Sequence, residues 1–135
     1  MTVSARKRIW GWYFFDWASQ PYNTLLWTFI FSPYFAKVAA AHYVGTGLGE
    51  DAAEAQAQAL WGLGLTLSGV VIAVASPVLG AIADGSGRVL TWIWAFSVLY
   101  ILGAAGLWTL TPDNPPLLQV VLLFSIGLIG MEFAT

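Results

Sequence analysis

Residues 55–83 read AQAQALWGLGLTLSGVVIAVASPVLGAIA, twenty-nine consecutive positions without a charged side chain. An α-helix rises about 1.5 Å per residue, so about 20 apolar residues cross the roughly 30 Å hydrocarbon core of a bilayer. A helix on the surface of a water-soluble protein carries charge on its outer face. This stretch has none to offer on any face, so lipid is its natural solvent. Strands of a membrane barrel would be about 10 residues with alternating polarity, and no such alternation is present.

The neighbouring stretches repeat the pattern. Residues 89–112 are also charge-free, residues 117–135 carry only Glu132, and residues 9–36 carry only Asp16. The chain is predicted to be an all-α membrane protein with four transmembrane helices. These lie over residues 10–36, 60–83, 89–110 and 117–135. The intervals are a basic N-terminus (1–9), a long loop (37–59), a Gly-rich turn (84–88) and a loop reading TPDNPP (111–116), whose prolines stop a helix. Within the long loop, residues 45–59 suit a short helix leading into the second span, with acidic residues at its start.

Composition agrees. Of 135 residues, 59% are hydrophobic and 9% charged, against about 25% charged in a soluble domain. With five basic residues and a net charge of −2, no patch suits a nucleic-acid backbone. The absence of cysteine removes disulfides, thiolate metal sites and thiol nucleophiles. No nucleophile–base pair, metal set or phosphate-binding loop is assignable, so neither an enzyme nor a cofactor is expected, and His42 reads as a solvated loop residue.

Arg6, Lys7, Arg8 and Arg88 fall on one side of a four-span topology and Lys37 alone on the other. Basic residues concentrate on the cytoplasmic side, which places the N-terminus there. A cleaved secretory leader is the rival reading, since Val38-Ala39-Ala40 resembles a cleavage site. The apolar stretch before it is about twice the usual core length and holds a carboxylate.

Asp16 is the most informative position. A carboxylate at the centre of a span costs roughly 2.5–3.5 kcal/mol on insertion scales. Ser19, Gln20 and Asn23 follow at i+3, i+4 and i+7, so an α-helix would gather the four into one polar stripe. Such a stripe faces other helices or water. It fits a substrate or proton path, and equally a hydrogen-bonded cluster that fixes helix packing. Pro21 lies within it and is a candidate kink. Glu132 lies at a similar depth in the fourth span, with no basic residue nearby to pair with it. It too reads either as a proton carrier or as a group close to the interface. In the second span, Gly69, Ala73, Ser76 and Gly80 form a small-residue stripe expected to pack closely on another helix.

Two motifs carry a resemblance. Gly80-Ala81-Ile82-Ala83-Asp84-Gly85-Ser86-Gly87-Arg88 resembles the G-x-x-x-D-(R/K)-x-G-R-(R/K) loop of the major facilitator superfamily, found between its second and third helices. Gly80, Asp84, Gly87 and Arg88 match, while Gly85 and Val89 replace basic residues. Tyr13 to Tyr22, with Asp16-Trp17-Ala18 at its centre, resembles the first-helix signature of one branch. That branch holds the autophagy-related vacuolar amino-acid effluxers and their bacterial relatives.

The resemblance implies a multi-pass secondary transporter of a small solute in the cell (inner) membrane, possibly proton-linked, with amino-acid efflux as one form. It places Asp16, Gln20, Asn23 and Glu132 on the substrate or proton pathway. Gly80, Asp84, Gly87 and Arg88 would act as a gating loop. The superfamily fold has twelve helices, so the chain would be the N-terminal part, with the remaining helices as its partners beside lipid and solute. A homodimeric four-helix exporter and a truncated remnant are the competing readings.

Overall fold

The computed structural model describes residues 4–135. Residues 1–3 of the basic N-terminal segment lie outside the described residues. Every element is helical. The first continuous helix runs from Ala5 to Gly45 in three parts: α1 (Ala5–Pro21), a π-helical segment (Tyr22–Phe31) and α2 (Ser32–Gly45). Then come α3 (Glu50–Ser86), α4 (Val89–Gly106) with a 3-10 turn at Leu107–Thr109, and α5 (Leu117–Ala134). All four continuous helices are long and apolar enough to cross a membrane.

The π segment explains the packing of the first helix. Pro21 has no N–H to offer the Trp17 carbonyl, so the regular i→i+4 ladder fails where the segment begins. The wider i→i+5 winding follows, and the Thr28 hydroxyl donates to the Asn23 carbonyl five residues back, at 3.2 Å. Nine residues of α-helix make two and a half turns and would put Tyr22 and Phe31 on opposite sides. At a little more than four residues per turn, nine residues make about two turns, and both rings face the same way. Both rings lie nearly parallel to that of Phe124 of α5, each at 6.3 Å, with interplanar angles of 13° and 5°. Trp61 of α3 completes the cluster at 4.5 Å from Phe124 and 5.0 Å from Phe35.

Helix α5 is the centre of the molecule. Val120, Phe124, Gly127, Leu128 and Met131 are all buried along it. Against α4 it packs through glycines. A Cβ added to Gly103 would run into the backbone of Gly127, and one on Gly130 would lie 2.7 Å from the Tyr100 nitrogen. Small residues allow this approach, and packing rather than water expulsion holds helices together in lipid. Against α3, Gly64 leaves room for Val121, and the Ser125 hydroxyl donates to the Gly64 carbonyl at 3.4 Å.

Two expectations change. Residues 37–59, read as a loop, are helical except at 46–49, because α2 continues to Gly45 and α3 begins at Glu50. Phe35, Val38 and Ala39 of α2 and Ala53, Ala57 and Trp61 of α3 are buried, giving the hairpin its own core. Its turn is a Schellman motif: the Leu48 N–H donates to Tyr43 and the Gly47 N–H to Val44, with Gly47 at φ 102°, a conformation glycine adopts freely. The small-residue stripe also behaves differently. Gly69, Ala73, Ser76 and Gly80 are all exposed, and a Cβ on Gly69 or Gly80 would meet nothing within 4 Å. The close approach that small residues permit occurs between α4 and α5 instead.

Candidate functional site

Asp16, Ser19 and Gln20 on α1 and Asn23 in the first turn of the π segment line one cleft with Met131, Glu132 and Thr135 from the end of α5. Its volume is about 250 Å³. The α-helical register holds from Asp16 to Pro21, and Asn23 lies only one residue into the wider winding. The i, i+3, i+4, i+7 stripe therefore survives. Ser19 is buried and its hydroxyl donates to the Asp16 carbonyl at 2.8 Å. Asn23 is half-buried, whereas Asp16, Gln20, Glu132 and Thr135 are exposed.

The Tyr22 hydroxyl sets the spacing of the two walls. It donates to the Phe124 carbonyl at 3.3 Å, and its ring meets Tyr100 edge-on at 5.3 Å. Gly127 is required there, because a Cβ would overlap the Tyr22 hydroxyl.

The lining contains two carboxylates, two carboxamides and two hydroxyls, and no Lys, Arg or His. Such a set accepts hydrogen bonds from cations and holds protons. A larger hollow of about 500 Å³ lies against the hairpin, between Tyr43, Gln56 and Leu63, but no charged side chain lines it. Among the described residues, no group of three or more His, Cys, Asp or Glu side chains is arranged to hold a metal.

The four residues read as a pathway, Asp16, Gln20, Asn23 and Glu132, thus share one cleft. Ser19 belonged to the same sequence stripe. Met131 and Thr135 were missed, although both neighbour Glu132 on its own helix.

Gly80, Asp84, Gly87 and Arg88 line no part of the cleft. Gly80 and Asp84 lie within α3, which continues to Ser86, so the expected 84–88 loop narrows to Gly87 and Arg88. Gly87 takes φ 62°, which ends the helix. The hydrogen bonds closing the turn run from the Gly87 N–H to the Asp84 carbonyl (3.4 Å) and from the Arg88 N–H to the Ser86 hydroxyl (3.2 Å). The Ser86 hydroxyl donates in turn to the Ala83 carbonyl at 2.9 Å. Ser86 is therefore a turn-forming residue that the sequence motif did not mark.

The fold and the site define an all-helical protein with four membrane-compatible helices and a polar cleft between the first and the last. The chain matches no family model, no curated protein and no solved structure.

Proposed function

We propose that the chain is part of a secondary transporter for a small solute, and that the Asp16–Glu132 cleft lies on the path of solute or protons. The observation that carries this reading is the convergence of two carboxylates, from the first and last helices, on one polar cleft in an otherwise apolar protein. Ionisable groups at such positions are expensive to insert and mark ion or substrate paths. The resemblance of residues 13–22 and 80–88 to major facilitator signatures supports the same class. On that reading, further helices of the superfamily fold pack on part of the exposed apolar surface, and the Arg6–Arg8 end and the Gly87 turn face the cytoplasm. The role of Gly80, Asp84, Gly87 and Arg88 is that of a gate between the second and third helices.

The test is Asp16→Asn in the transporting protein. Membrane insertion is retained and proton-coupled flux of the solute is abolished or uncoupled. Normal coupled flux in this variant removes Asp16 from the mechanism.

A further inference from the structure

The geometry points to a binding seam for an anionic phospholipid along α1, distinct from the polar cleft. From Ala5 to Ala18 no side chain of α1 is buried, and only Phe15 is half-buried. One face of this stretch is nevertheless organised. Trp10, Tyr13, Phe14 and Trp17, at i, i+3, i+4 and i+7, line a groove of about 300 Å³. Trp10 packs edge-on against Tyr13 at 6.3 Å and lies tilted by 34° against Phe14 at 6.1 Å. All four rings are more than half exposed, so something other than this bundle covers them.

Charge complementarity says what does. Arg6 and Lys7 lie four and three residues before Trp10 and therefore directly above the groove on the same face. Arg8, two residues before Trp10, lies on the far side of the helix and adds only to the net positive charge of this end, and the first turn of α1 holds no acidic residue. The helix begins there as well. Ser4 makes no side-chain cap, so free backbone N–H groups and the positive end of the helix dipole add to the field at this point.

A helix end with two cations above an aromatic groove matches one molecule in two parts. The phosphate of an anionic lipid sits at Arg6 and Lys7, and its acyl chain runs down Trp10, Tyr13, Phe14 and Trp17. The seam spans about 15 Å from Lys7 to Trp17, half the thickness of the hydrocarbon core and hence the reach of one leaflet. The inference rests on the membrane reading of the four helices and not on transport.

The experiment reconstitutes the chain into phosphatidylcholine vesicles holding a minority of brominated lipid and reads tryptophan quenching. Brominated phosphatidylglycerol is expected to quench more strongly than brominated phosphatidylcholine. The excess disappears in Trp10→Phe/Trp17→Phe. In Arg6→Gln/Lys7→Gln the preference for the anionic lipid falls about thirtyfold, as two surface charges dictate. Inorganic phosphate in the buffer leaves the excess unchanged. Equal quenching by the two lipids overturns the inference, as does competition by free phosphate, or Trp10→Cys cross-linking to a second copy in place of the excess. A chain that stays out of both kinds of vesicle overturns the membrane reading itself, which separates the two failures.

Discussion

Replacing Phe124 with alanine tests the feature that joins the first helix to the rest of the molecule. The ring is 1% exposed. It packs nearly parallel to Tyr22 and Phe31, each at 6.3 Å, and against Trp61 at 4.5 Å. Each aromatic pair contributes about 0.5–1.5 kcal/mol beyond its buried area, so three pairs amount to about 1.5–4.5 kcal/mol. Truncating a buried Phe in water costs about 3–5 kcal/mol. In lipid the water-transfer part of that figure shrinks and the packing part remains, so we expect about 2–4 kcal/mol. Phe124→Leu keeps most of the volume and should cost less than about 1.5 kcal/mol. The assay is equilibrium unfolding in mixed micelles, followed by circular dichroism and total tryptophan fluorescence in both variants. A second readout is specific to the winding argument: without the central ring, Tyr22 and Phe31 no longer both need to face α5. Introduced Gln20→Cys and Thr135→Cys, bridged by a short bifunctional maleimide in the parent, should then cross-link less efficiently. A change below about 0.5 kcal/mol for Phe124→Ala, within the range of an ordinary surface substitution, would refute the claim that the three-ring stack holds the first helix to α5.

Two more outcomes follow from the packing and the topology. Gly127→Val places side-chain atoms where the Tyr22 hydroxyl and the Gly103 backbone lie. It should destabilise the bundle by about 1–3 kcal/mol as an overpacked site, whereas Gly69→Val, in open space, should unfold at the parent midpoint in the same micelle assay. Because the chain has no cysteine, single introduced thiols report sidedness cleanly. In intact cells an impermeant maleimide should label Thr46→Cys and not Gly85→Cys, and the reverse pattern would invert the proposed orientation.

The four long apolar helices were legible because crossing a bilayer demands a length and a composition rather than a subtle period, and residues 55–83 meet both. The polar stripe was legible for a local reason. Asp16, Ser19 and Gln20 precede Pro21 in regular α-helix, so the 3.6-residue repeat applied to them. Past Pro21 the repeat fails, and nothing in the sequence separates a kink from ten residues of π winding. That choice is made by Phe124, a hundred residues away, which both Tyr22 and Phe31 must reach. The helical lead-in to the second span over residues 50–59 was legible in its acidic start and its Ala and Gln, good helix formers. Residues 37–45 were misjudged because Lys37 and the polar positions after it were taken as the end of the first helix, which continues to Gly45. The glycine seam left a signal that went unread: Gly103 and Gly106 on one helix and Gly127 and Gly130 on the next share the same i, i+3 spacing. By contrast, the small residues of α3 attracted notice, and in this fold they meet no neighbour.

The hairpin also changes the approach to the protein from one side. The Tyr34 hydroxyl donates to the Leu110 carbonyl, so the 110–116 connection sits level with Tyr34. The first helix then continues for eleven residues to Gly45, about 16 Å further. This raised tip carries exposed Glu50, Asp51 and Glu54 against a single exposed Lys37. An acidic turret of that height stands beyond one Debye length at physiological salt, about 8 Å. It enriches cations and repels anions around the hairpin tip, and it does so less as ionic strength rises.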